Sequence, residues 1–150
     1  MKKYELTSDT KIVFGHILYR IKALSSFGCV SAGDLGGFLE SEKNLSQNGD
    51  AWVYGDAEVY GNARVYGNAE VCKIGAVFWI GAIGSRNRTT TFFRCKDGKI
   101  YVSCGCFLGD LEEFSDKVKQ THGDNEHGRV YMLAIEMAKA RIVEEKNEVH

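Results

Sequence analysis

Eight consecutive residues, Gly84-Ser85-Arg86-Asn87-Arg88-Thr89-Thr90-Thr91, bring together two guanidinium groups, one carboxamide and four hydroxyls. A guanidinium fork presents parallel N–H donors that match a carboxylate or phosphate, and hydroxyls add donors around the same anion. Phe92, Phe93 and Tyr101 follow closely, and an aromatic ring can stack on a base. The pattern points to a binding loop for an anionic, nucleotide-like small molecule. Its expected contacts are Ser85, Arg86, Asn87, Arg88, Thr89, Thr90, Thr91, Phe93 and Tyr101. The plainer alternative is a solvated strand opening whose threonines serve β propensity.

A second set, Cys95, Cys104, Cys106, His122 and His127, has the residue types of a zinc site. Its spacing is poor for one. Cys104-Gly105-Cys106 replaces the usual two-residue knuckle, and the two histidines straddle an expected helix break. Cys104, Cys106, His122 and His127 are therefore weak metal candidates, and neither a metal nor a cofactor is expected. A Cys–His nucleophilic pair needs a third group to orient the base, and only Asp124 or Glu126 is at hand. No catalytic residue is assigned. The plainer reading makes Cys104 and Cys106 small residues on one strand face and puts His122 near a helix end. The glycines of Gly33-Asp34-Leu35-Gly36-Gly37-Phe38 could cradle a phosphate, but no Lys-Ser/Thr follows them. Positions that need positive φ explain them more simply.

These side chains hang on a repetitive scaffold. Gly49-Asp50-Ala51-Trp52-Val53-Tyr54 is followed by Gly55-Asp56-Ala57-Glu58-Val59-Tyr60, Gly61-Asn62-Ala63-Arg64-Val65-Tyr66 and Gly67-Asn68-Ala69-Glu70-Val71-Cys72. A fixed short period is the mark of a solenoid. Alanine and valine two positions apart share one strand face and should point inward. Trp52, Glu58, Arg64 and Glu70, between them, should point out, although Trp52 could instead pack under the N-terminal segment. Leu45 upstream, and Gly75, Val77, Gly81 and Ile83 downstream, keep the phase weakly. Three hexapeptides per coil gives about two coils. That is too few to bury much and leaves open stack ends, to be covered by the flanks or by self-association. An antiparallel meander of very short strands is the competing arrangement.

Before the repeat, Lys11–Phe14 and Ile17–Leu24 read as strands around a Gly15-His16 turn. After it, residues 88–95 and 100–104 form a hairpin about an Asp97-Gly98 turn. Asp110 should cap a helix from Leu111 to about Thr121, with Leu111, Phe114 and Val118 on its apolar stripe. Asp124 or Asn125 should cap a second helix to about Val143, with Tyr131, Ile135, Ala138 and Ile142 on one face. The expected class is mainly β with α. A short β-helix over 49–84 lies between an N-terminal β segment, 1–48, and a C-terminal α+β tail, 85–150.

Bulk properties narrow the function classes. A formal net charge of −1 carries no strong nucleic-acid signal. No apolar run is long enough for a membrane span, and the N-terminus lacks the apolar stretch of a signal peptide. The 5 cysteines are then expected to be reduced, and the cytoplasm is the expected compartment.

Several stretches together resemble a group of phage and prophage proteins from Gram-positive bacteria. They are Leu35-Gly36-Gly37-Phe38, Asn44-Leu45-Ser46-Gln47, the Gly-Asn-Ala-Arg-Val-Tyr repeats, Gly84-Ser85-Arg86-Asn87, Thr90-Thr91-Phe92-Phe93, Ser103-Cys104-Gly105-Cys106-Phe107 and Thr121-His122-Gly123-Asp124. The resemblance implies a phage setting and, with the polar loop, a homo-oligomeric counter-defence protein that sequesters its ligand without turnover. Two other readings stay open. One is an inhibitor of a host protein that uses the repeat surface and Trp52. The other is an enzyme, either a Cys–His hydrolase or an acyltransferase of the left-handed β-helix kind, which the hexapeptide resembles. No histidine lies on the repeat: His16, His122 and His127 are all outside it.

Overall fold

The computed structural model describes residues 2–71, 74–95, 97–105 and 107–142. The chain is mixed β with two helices and divides into two compact units, Met1–Ile74 and Gly75–His150.

In the first unit, β1 (Tyr4–Val13) and β2 (His16–Ala23) form an antiparallel hairpin. Its turn is Phe14-Gly15, with φ of 47° and 83°, the geometry that matches strand twist in a two-residue hairpin. The first strand starts at Tyr4, seven residues before the expected Lys11. The polar run Thr7–Thr10 hides it from a hydrophobicity reading, because β1 is the sheet edge and can be polar on both faces. Next to β2 comes β3 (Leu35–Leu39), antiparallel, and β3 pairs in parallel with β5 (Glu58–Val59). The two glycines of β3 serve close approach and not positive φ. A Cβ on Gly36 would lie 2.6 Å from the Val53 carbonyl oxygen, and one on Gly37 would lie 2.5 Å from that of Ala57.

In the repeat, β4 (Trp52–Val53) pairs in parallel with β6 (Glu70–Val71), joining residues 18 apart. Leu45 bridges Val65 in the same sense. The inward alanines and valines, from Ala51 to Val71, are all buried as their spacing implies. Each repeat opens on a glycine with φ between 57° and 76°, a turn conformation that costs glycine least. Side chains from before the repeat satisfy its backbone: Asn44 Nδ2 donates to the carbonyls of Gly61 and Ala63, and Lys3 Nζ donates to that of Ala51. Trp52 does not point out. It is 1% exposed and packs edge-on against Tyr4 and Phe27, beneath the N-terminal segment.

In the second unit, β7 (Val77–Ile83), β8 (Arg88–Arg94), β9 (Ile100–Cys104) and β10 (Phe107–Asp110) form an antiparallel meander in the order β10-β9-β8-β7. Val77 and Ile83 thus belong to a full-length antiparallel strand and not to a fading repeat. Two helices follow, α1 (Leu111–His122) and α2 (Glu126–Arg141), capped by Asp110 and Asn125. Their apolar faces cover one side of the sheet: Phe114, Val118, Tyr131, Ile135, Ala138 and Ile142 pack with Phe92, Ile100 and Val102. Among the described residues, no helix is long and apolar enough to cross a membrane.

Candidate functional site

The polar loop is the turn between β7 and β8. Ile83 pairs with Arg88, and the four residues between them close the hairpin with Gly84 at φ 80° and Asn87 at φ 51°. The Asn87 N–H donates to the Gly84 carbonyl. The turn places Ser85, Arg86 and Arg88 at the rim of a cleft of about 330 Å³ in the second unit. The β9–β10 turn supplies Cys104, Gly105 and Phe107 to the same cleft. Its opposite wall is α1, which contributes Phe114, Lys117, Val118, Thr121 and His122. These sit three and four residues apart, the spacing of one helix face.

Inside, the cleft is aromatic. Phe107 and Phe114 lie 5.3 Å apart, Tyr131 meets Phe114 edge-on at 5.5 Å, and the His122 ring stacks on Tyr131 at 5.7 Å with planes 22° apart. A polar seam runs along its inner edge. Thr90 Oγ1 donates to Cys104 Sγ at 3.3 Å, and the Tyr131 hydroxyl lies 3.7 Å from the same sulfur. Burial and the Cys104 neighbour push the Tyr131 phenol up to about 12, so it stays protonated at neutral pH. Gly84 leaves room for that hydroxyl: a Cβ there would land on it.

The rim is cationic. Arg86, Arg88 and Lys117 line the cleft with His122, and among the described residues none that lines it is acidic. Among the described residues, Arg86, Arg88 and Lys117 make no ion pair. The Arg88 guanidinium passes over Gly105, where a Cβ would sit 2.7 Å from Nη1. Gly105 therefore sets how far Arg88 can lie down into the cleft.

Of the residues expected to bind, only Ser85, Arg86 and Arg88 line this cleft. Asn87 is exposed on the turn and Thr89 is half-buried beside Gly81. Thr90 is buried and committed to Cys104. Strand alternation puts Thr91 and Phe93 on the sheet face away from Phe92 and the helices, both buried. Tyr101, paired with Phe93, donates its hydroxyl to Asp97, which raises its pKa to about 12. Neither Phe93 nor Tyr101 lines this cleft, whose rings are those of Phe107, Phe114, Tyr131 and His122, with Lys117 as a further cation. The recurrence of Phe114, Lys117, Val118 and Thr121 on one helical face was the available signal.

Of the weak metal candidates, Cys106 lies outside the described residues. Among those described, no three His, Cys, Asp or Glu side chains come together to hold an ion. His122 and His127 face each other at 5.5 Å, and Cys95 is buried. Among the described residues, no hydrogen bond joins Cys104 to a histidine: its neighbours are Thr90 and Tyr131. A thiol nucleophile needs a base within reach, and the His122 ring, which lines the same cleft, stacks on Tyr131.

No protein-family model matches the chain, and no curated protein matches its sequence.

Proposed function

We propose that the chain is a binding protein for an anionic, nucleotide-like small molecule held in the cleft between the β7–β8 turn and α1. The observation that carries this reading is the rim. Three cationic side chains, Arg86, Arg88 and Lys117, line one small cleft, and among the described residues no carboxylate lines it. Like charges held together repel, and an anion between them relieves that repulsion. The C-terminal end of α1 faces the same cleft and presents partial negative charge, so the side chains must supply the attraction. An aromatic interior suits a planar ring, and the Cys104 thiol and Tyr131 hydroxyl offer polar groups to its edge.

The role that fits is capture and not turnover, in the phage or prophage setting that the sequence resembles. In this reading the repeat is a short β-helix, a platform with no part in the chemistry. Its support is the parallel pairing of residues 18 apart, three hexapeptides, together with the buried Ala and Val phases. With Trp52 buried, the alternative of a host-protein inhibitor acting through the repeat surface lacks its anchor.

Native mass spectrometry of the protein purified from bacterial cells tests the reading, alongside calorimetric titration with a panel of mono- and dinucleotides. Wild type is expected to carry or bind a phosphate-bearing ligand. Arg88→Ala should weaken binding about tenfold or more, since a charge-assisted hydrogen bond contributes about 1.5–3 kcal/mol. A wild-type protein that carries no anion and binds none of the panel at millimolar concentration would overturn it.

A further inference from the structure

The outer face of α2 is built unlike a solvated surface. Leu133 is 66% exposed and Met137 51%, in a helix whose inner face already fills the core. A groove of about 360 Å³ runs along this face, lined by Arg129, Met132, Leu133 and Glu136 on α2, with Gly123, Asp124 and Gly128 at its N-terminal end. Arg129, Met132, Leu133 and Glu136 follow the spacing i, i+3, i+4, i+7, which makes one straight stripe. The stripe has an apolar centre, a cation at its N-terminal end and an anion at its C-terminal end. Those ends are seven residues apart, about 10 Å at the helical rise.

Such a stripe is complementary to itself, but only when reversed. Laid antiparallel on a second copy, with the two-fold axis between Met132 and Leu133, it sets Arg129 of each copy against Glu136 of the other, twice over. Laid parallel, it would set like charges against like. We propose that α2 is the dimer interface of this protein, formed by an antiparallel, isologous pairing of two α2 helices across that axis.

The local geometry suits the pairing. Arg129 donates from Nη1 to the Asp124 carbonyl at 2.7 Å, which ties its fork to the N-terminal end of the stripe and leaves its other N–H groups for a carboxylate. Among the described residues, Glu136 has one exposed, 3.4 Å ion pair, with Lys139, to give up, an interaction of small value in water. Leu133 of one copy meets Leu133 of the other on one side of the seam, and Met132 meets Met132 on the other side. Ala140, exposed and small, continues the stripe one turn on and lets the helix ends approach.

A charge swap tests the register, and not merely the stickiness of the face. The full-length chain is run in sedimentation velocity from 1 to about 500 µM, with wild type expected to shift from monomer to dimer. Leu133→Asp should abolish the shift with unchanged circular dichroism, because the side chain is mostly exposed. R129E and E136R should each weaken dimerisation about tenfold or more, and the double variant R129E/E136R should restore it to within about threefold. Another exposed apolar feature among the described residues is the β1–β2 tip, with Phe14 91% exposed. Phe14→Ser should leave the dimer intact. A wild type that stays monomeric throughout overturns the proposal. So does a dimer that survives Leu133→Asp, one that is lost with Phe14→Ser, or a double variant no better than its parents.

Discussion

Two glycines show how much the cleft depends on single atoms. Gly84 and Gly105 both have positive φ, 80° and 58°, yet they differ in what a methyl group would strike. At Gly84 it would meet the hydroxyl of Tyr131, a buried ring fixed by Phe114 and His122. At Gly105 it would meet the far end of the exposed Arg88 side chain, which can move. Gly84→Ala therefore combines backbone strain with overpacking and is expected to destabilise the protein by about 3 kcal/mol or more in urea unfolding. Gly105→Ala should lose only about 1 kcal/mol of stability. It should nevertheless weaken anion binding, because Arg88 is lifted from its place. Equal losses of stability from the two would refute the distinction.

At the scale of elements, the helices were the most legible part of the sequence. Asp110, Glu112 and Glu113 ahead of a three-four apolar stripe specify α1, and the cap forms as that pattern implies: Asp110 accepts from the Glu113 N–H at 2.8 Å and Glu113 reaches back to the Asp110 N–H. The inward Ala and Val phases were equally plain, since a six-residue period leaves them little choice of face. Other features were hidden. The early start of β1 was masked by polar edge residues, and β10 by its brevity. The cleft's aromatic interior was masked because Phe107, Phe114 and Tyr131 read as ordinary core until β9, β10 and the two helices are folded together. The polar loop was visible, but which of its side chains enter the cleft depends on strand alternation from Arg88 onward, and one residue of register decides it. Because α1 carries Lys117 and His122, its cap also positions part of the rim. Asp110→Ala is expected to cost about 1 kcal/mol in unfolding free energy, with a smaller loss in anion affinity than Arg88→Ala. An affinity loss as large as that of Arg88→Ala, at unchanged stability, would show Asp110 acting on the ligand and not through the helix.

The whole molecule adds a proton balance that differs between its two units. In the first, burial lowers the Lys3 ammonium from 10.5 to about 8, although Ala51 and Gly49 carbonyls accept from it. Between pH 8 and 10.5 the unfolded chain holds a proton at Lys3 that the folded one has released. Unfolded-state proton excess makes stability rise with pH, so this unit should gain stability across that window. Tyr4 in the same unit is raised above 10, chiefly by burial. It acts in the opposite sense once the unfolded phenol begins to ionise near pH 10. Among the described residues of the second unit no lysine is shifted in this way, but Tyr101 and Tyr131 are both raised to about 12. Their effect on stability is absent below pH 10 and negative above it. The chain has 2 tryptophans, Trp52 in the first unit and Trp79 in the second, so fluorescence can follow each unit separately. With Trp79→Phe, the Trp52 signal should show a urea midpoint that rises from pH 8 to about 10 and then falls. Adding Lys3→Met should remove the rise. With Trp52→Phe, the Trp79 signal should stay level over the same range and fall only above pH 10. A Trp52 midpoint that stays level between pH 8 and 10 would mean that Lys3 holds its proton as firmly in the folded chain as in the unfolded one, and that its place against the repeat costs nothing in lost hydration.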